Sequence, residues 1–276
     1  MLKYTIKRIL AMIPQLFILS ILVFLLTKAM PGDPLSQAFR ANPNLDPAVL
    51  AELQEKAGFN DPWYVQYVNW IKGLLQGDLG ISYIHKVEIT KLLGDRFVNT
   101  IWLGLATLIL TYLIAIPLGL IAGRYQNSWA DKMIVGYNYV SYAVPLFVFA
   151  LLMLFIFGFR LDLFPTSGSV NPQVEPGTWD YFLSRIHHLI LPALTGALLS
   201  TVGTIQYLRN EIIDTKHKDF VKTARAKGTS EKHVYNRHIL RNSLLPIAAF
   251  LGSDIVGILG GSIFIAQLFG YPGIGQ

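Results

Sequence analysis

Four stretches of this chain, residues 9–27, 97–123, 133–159 and 186–208, contain no Asp, Glu, Lys or Arg, and residues 242–276 contain only Asp254. Each is close to or longer than the ~20 residues an α-helix needs to cross the hydrocarbon core of a bilayer. A backbone in lipid must satisfy its own hydrogen bonds, so runs of this length form helices. The fold class is therefore all-α, a polytopic membrane helix bundle with five spans, the fifth running from Leu244 to about Leu268. Charged residues make up 14% of the chain, against roughly 25% in an ordinary soluble domain.

The net charge of +6 first suggests a nucleic-acid partner, but the basic residues cluster at the ends of the apolar runs, as membrane topology requires. With the N-terminus in the cytoplasm, residues 28–96 and 160–185 are extracytoplasmic, and 124–132 and 209–241 cytoplasmic. Segment 209–241 holds nine Lys/Arg in 33 residues, against two in the 26 residues of 160–185. The opposite orientation would put the densest basic block outside. The first run, behind Lys3, Lys7 and Arg8, is too long for a secretory signal and lacks a small-x-small cleavage site, so it reads as a retained helix. With no cysteine there is no disulfide framework and no thiolate metal site.

Segment 28–96 is too long for a plain connection and should be structured. One helix is expected after Asp46 and Pro47, ending at Gly58. A second follows Asp61 and Pro62, with Trp63, Tyr67, Trp70, Ile71 and Leu74 on one face. That stripe suits either the lipid headgroup zone or the protein's own outer face. Pro117 and Pro145 interrupt the second and third spans as hinges or as plain kinks. The fourth span is rich in small and hydroxyl residues, Thr195, Gly196, Ser200, Thr201, Gly203 and Thr204 among them, and should sit against other helices. Gly252, Gly257, Gly260 and Gly261 loosen the fifth span, in which Asp254 is either a pathway group or a packing group. Pathway and gating candidates are Asp254, Pro145, Thr201 and Gly261.

Residues 219–242, DFVKTARAKGTSEKHVYNRHILRN, form the polar island between the last two spans. Phe220, Val221 and Ala224 make an apolar stripe at helical spacing, Gly228 can serve as a left-handed C-terminal cap, and Ser230 can begin a second helix. No G-x-x-x-x-G-K-[ST], H-E-x-x-H or G-x-S-x-G occurs. The His187–His188 pair cannot place both rings on one helical face. These patterns argue against an enzyme.

Several segments together resemble the permease subunits of the dipeptide/oligopeptide (and nickel) branch of binding-protein-dependent ABC importers, B-type subunits in particular. They are KRILAMIPQLFILSILVFLLTKAMPGDP at 7–34, YVNWIKGLLQGDLGISY at 67–83, FPTSG at 164–168, the ARAKG and HILRN of 219–242, and FGYPGIG at 269–275. The resemblance covers the whole chain. It implies a single transmembrane permease domain over 1–276 with the type I importer fold, and a sixth span beyond Gln276. It implies a short coupling helix that docks on an ATPase subunit, formed by Asp219, Phe220, Val221, Lys222, Ala224, Arg225 and Lys227 and turned back by Gly228. The chain departs from the wider family pattern at Lys222 and Ala266, where glutamate is common, and at Arg241, where proline is common. The implied partners are a second permease subunit, two ATPase subunits, an extracytoplasmic peptide-binding protein and membrane lipid, with no nucleic acid. No cofactor is expected in this chain, since ATP and Mg would sit on the ATPases. The implied location is the cytoplasmic membrane of a prokaryote. Two other functions remain open: the same importer type carrying nickel or another small solute, and an ion-coupled secondary transporter using Asp254.

Overall fold

A computed structural model describes residues 2–29, 58, 61–82, 87–261 and 263–275. Among these the only β-structure is an isolated bridge between Ile81 and Glu88. The helix expected after Asp46, and the PGDP at 31–34, lie outside the described residues. The chain divides into two compact units, Met1–Gly94 and Asp95–Gln276.

In the first unit, α1 (Leu2–Ala29) is the first apolar span and α2 (Trp63–Gln76) the expected aromatic helix. Helix α2 begins one residue later than expected, with Pro62 in the cap position and no side chain capping it. It ends at Gly77 in the left-handed region (φ 79°), where the Asp78 N–H donates to the Gly73 carbonyl. The aromatic stripe is divided in its use. Tyr67 is buried, its hydroxyl 2.7 Å from Ser20 Oγ and its ring 5.4 Å from that of Phe24, both on α1. Trp63 and Leu74 stay exposed. Tyr67 therefore anchors α2 to the apolar first span, the protein's own surface.

The second unit is organised by α3 (Ile89–Arg124), whose first residues precede the unit boundary, and α6 (Trp179–Lys216). At 1.5 Å per residue α6 is about 57 Å long, beyond the ~30 Å hydrocarbon thickness, so its polar ends project. Small residues of α3 let α6 come close: a Cβ at Gly119 would lie 3.0 Å from Leu208, and one at Gly123 2.8 Å from Ile212. This is the small-xxx-small device of membrane helix pairs. The crowding expected of the fourth span is present, with Thr195, Gly196, Ala197, Thr201 and Thr204 all buried.

The third span is not one straight helix. Helices α4 (Trp129–Ala143) and α5 (Leu146–Met153, continued by a wider π turn over Leu154–Arg160) meet at 105°. Val144 and Pro145 are extended at the break (ψ 121° and 138°), because proline drives the residue before it out of the helical region. Pro117 breaks nothing. Its neighbours Ala115 and Gly119 are buried, so tertiary contacts carry α3 through the missing hydrogen bond, whereas the corner at 145 has exposed Tyr142 and Phe147 beside it.

The polar island follows as α7 (Asp219–Ala226) and then a helix over 231–243, here α8, with a π turn at Val234–Ile239. Next come α9 (Leu245–Gly261) and α10 (Ile263–Leu268). Helices α1, α3, α6 and residues 231–258 are each long and apolar enough to cross a membrane, and the bent pair α4–α5 makes a fifth candidate.

Candidate functional site

Three arrangements in the second unit carry chemistry. The first is the basic segment itself. Asp219 and Arg225 bias α7 in the direction its dipole favours, and Gly228 ends the turn with φ 75°, its N–H donating to the Arg225 carbonyl. Nothing lies within 4 Å of where a Gly228 Cβ would be, so only the backbone conformation calls for glycine there. The stripe Phe220–Val221–Ala224 is split. Val221 and Ala224 are buried in one apolar cluster with Leu208, Ile212, Tyr235 and Ile247, while Phe220 is exposed. The small residue at 224 thus lets α7 lie close on its own protein. The face left open holds Asp219, Phe220, Lys222, Arg225, Lys227 and Gly228. On it Lys222 Nζ meets Asp219 at 3.0 Å, and Arg225 forks onto Glu231 across the turn at 2.7 and 3.2 Å.

The second arrangement ties this end of the bundle together. Arg209 on α6 makes a two-pronged pair with Asp131 on α4, at 2.6 and 2.8 Å, and the Asp131 side chain is only 3% exposed. Lys216 Nζ donates to the last carbonyls of α3, Gly123 at 2.5 Å and Arg124 at 2.9 Å, satisfying acceptors that a helix C-terminus leaves open. The Arg124 guanidinium sits 4.8 Å from the Tyr235 ring centre. The sequence assigns these residues no joint, because the partner of Asp131 is 78 positions away.

The third is a cavity of about 570 Å³ lined by α3, α6, α9 and α10, including Thr107, Thr111, Thr204, Tyr207, Phe250 and Asp254. Tyr112 donates to Asp254 Oδ2 at 2.6 Å. Of the four pathway candidates, Asp254 lines this cavity. Thr201 is fully buried, with its hydroxyl 2.7 Å from the Leu198 carbonyl and 2.9 Å from Tyr137 Oη, so it holds α6 against α4. Pro145 is the α4–α5 corner, and Gly261 ends α9, its surroundings outside the described residues. Ser200 and Thr204, rotated about 100° and 60° from Thr201 to the same side of α6, face the cavity instead.

At the opposite end the FPTSG and FGYPGIG segments meet: the Gly168 N–H donates to the Gly270 carbonyl at 3.1 Å. Asn99 donates to the Pro272 carbonyl and accepts from Arg185, and the Ile274 N–H donates to Thr100 Oγ1. Phe269 and Tyr271 plug the cluster around Leu103, Met153 and Leu191. Burial pushes the Tyr271 phenol's pKa up, with the Arg185 guanidinium opposing.

Residues 115–276 match the family model described as binding-protein-dependent transport system inner membrane component, and residues 1–104 match its N-terminal counterpart. The chain belongs to this family. It is 37% identical over 277 aligned residues to the oligopeptide transport system permease protein AppB of Bacillus subtilis (strain 168), covering 100% of this chain and 86% of that protein. It is 33% identical to the glutathione transport system permease protein GsiC of Escherichia coli (strain K12), covering 100% and 85%, and equally to GsiC of Salmonella typhimurium. This permease is thus a multi-pass helical membrane protein and a transport subunit, in line with the resemblance read from its motifs.

Proposed function

We propose that this permease forms half of the translocation pathway of an ATP-driven importer of di- or oligopeptides. In this reading it pairs with a second permease subunit and receives cargo from an extracytoplasmic binding protein. ATP and Mg are handled by two ATPase subunits. The N-terminus and the 209–241 segment lie in the cytoplasm of a prokaryote. The observation that carries the proposal is the build of α7. One face, Val221 and Ala224, is sunk in the cluster that includes Tyr112 of α3, Leu208 of α6 and Ile247 of α9, and the other face is charged and open. A partner that displaces the open face displaces the helices behind it, which a coupling helix must do. Asp219, Phe220, Lys222, Arg225 and Lys227 are then the groups an ATPase touches, with Val221 and Ala224 their footing and Gly228 the turn. Peptide cargo is favoured by the relatives named for oligopeptide and glutathione transport; nickel or another solute in the same importer is the second reading.

Reconstituting the complete importer in proteoliposomes tests this. Uptake of peptide should require ATP and all partner chains. In Gly228→Pro, which cannot adopt φ 75°, ATP hydrolysis should continue while uptake falls at least tenfold. Uptake driven by an ion gradient without the ATPases would overturn the importer reading in favour of a secondary transporter.

A further inference from the structure

The cavity beside Asp254 presents an unusual balance of hydrogen-bonding groups. Thr107 Oγ1 donates to the Leu103 carbonyl at 2.8 Å, Thr111 Oγ1 to the Thr107 carbonyl at 2.7 Å, and Ser253 Oγ to the Phe250 carbonyl at 2.8 Å. Each hydroxyl has spent its single proton on its own helix, so what it offers the cavity is lone pairs. Tyr112 spends its proton on Asp254 Oδ2. That leaves Asp254 Oδ1 with no hydrogen bond, and the carboxylate with no cation, among the described residues. Tyr207 and Phe250 meet edge to face in the same wall, ring centres 4.7 Å apart, and add the negative face of an aromatic ring to the same sign of field.

A wall that holds the Asp254 carboxylate, aromatic faces, three hydroxyls whose protons are spent and three more, on Ser200, Thr204 and Tyr207, that can accept as well as donate is complementary to a group that carries positive charge. It is a poor host for a carboxylate, which would be repelled by Asp254. An ammonium, with three donors and no acceptor, meets each requirement, and about 570 Å³ lies within the roughly 300–1,000 Å³ range of small-ligand sites. A transition metal fits less well. One carboxylate among hydroxyls supplies no soft or imidazole ligand, and no group of three or more His, Cys, Asp or Glu residues placed to hold a metal occurs among the described residues. A carboxylate is costly at membrane depth and is retained where it faces a partner or a cavity.

We infer that this cavity receives the α-ammonium group of a peptide in transit, with Asp254 as its counter-charge and Tyr112 as the residue that holds the carboxylate in position. The inference rests on the peptide-importer reading and deepens it, because it gives the cargo a polarity: the amino terminus is gripped by the permease and the carboxyl terminus is not.

The test uses the membrane complex of the two permease and two ATPase subunits in nanodiscs, without the binding protein so that cargo loading does not enter, with trialanine and N-acetyl-trialanine as probes in calorimetric titrations. Wild type should bind trialanine at least tenfold tighter than the acetylated peptide. Asp254→Asn should abolish that difference and Asp254→Glu should keep it. Tyr112→Phe, which leaves the charge in place, should narrow it severalfold. Equal binding of the two peptides by wild type, or discrimination that survives in Asp254→Asn, overturns the site. Displacement of trialanine by nickel chloride in wild type but not in Asp254→Asn overturns the ammonium in favour of a metal ion. ATP-driven trialanine uptake by the wild-type complex in proteoliposomes, with its binding protein added back, is the control on the function. Uptake without discrimination in binding sinks the site alone, and absence of uptake sinks the reading and the site with it.

Discussion

The two ends of the second unit are closed by different chemistry. At the end bearing the basic segment, formal charges make the joints: Arg209 on Asp131, Lys216 on two carbonyls, Arg124 over Tyr235. At the end bearing FPTSG and FGYPGIG, much of the closure is backbone meeting backbone or a neutral side chain, as in Gly168 to Gly270, Asn99 to Pro272 and Ile274 to Thr100. A charge-assisted, two-pronged joint is stronger and more directional than a neutral one. The difference teaches where the joints are strong. The basic end joins its helices by charge-assisted pairs, and the loop end adds hydrogen bonds of about 1 kcal/mol each to the apolar seat of Phe269 and Tyr271. Under the proposed function, a gate at one end worked by a lever at the other would use this asymmetry.

The sharpest way to break the comparison is at Arg209. Arg209→Ala leaves the nearly buried Asp131 carboxylate with no cation and only the Asn127 N–H donating to it among the described residues, and losing one partner of a buried pair costs about 3–5 kcal/mol. An SDS titration of the purified permease in mixed micelles should show that loss, and a cost under 1 kcal/mol would mean the joint is not structural. At the loop end, Asn99→Ala removes an acceptor from Arg185 and a donor from the Pro272 carbonyl, a cost of about 1–3 kcal/mol by the same titration. If it equals or exceeds the Arg209 effect, the asymmetry fails. The smallest effect is expected on the open face of α7. The Lys222–Asp219 pair has side chains 66% and 94% exposed, so Lys222→Ala should leave stability within about 0.5 kcal/mol. Any larger consequence of that substitution should appear only as altered ATPase coupling.

Asp254 and α7 show how far one-dimensional reading goes. That Asp254 is the sole acid in the last apolar stretch was plain from spacing alone, but its partner Tyr112 lies 142 positions away on another helix. Tyr112 reads as one more aromatic in a span. The stripe at 220, 221 and 224 was legible as a helix face, yet periodicity cannot say what covers a face, and Val221 and Ala224 turned out to be covered by their own chain. Thr201 reads as a pathway residue from its type alone, yet it is Ser200 and Thr204, together on an adjacent face of the helix, that line the cavity. One residue is 100° of rotation on a helix, and only the packed bundle sets which direction is inward.

The sequence by itself determined the class, the spans, the basic end and the family, because each of these is written in runs of neighbouring residues: length against bilayer thickness, charge at the ends of apolar blocks, short motifs in order. The tertiary structure alone decided the 105° corner at Pro145 where Pro117 leaves its helix intact, the burial of the FGYPGIG loop, and the Asp131–Arg209 and Tyr112–Asp254 contacts. In lipid the apolar residues of a span gain little by choosing one apolar neighbour over another, so the choice falls to close approach at small residues and to a few polar partners. Those partners are far apart in the chain, and only folding brings them within 3 Å.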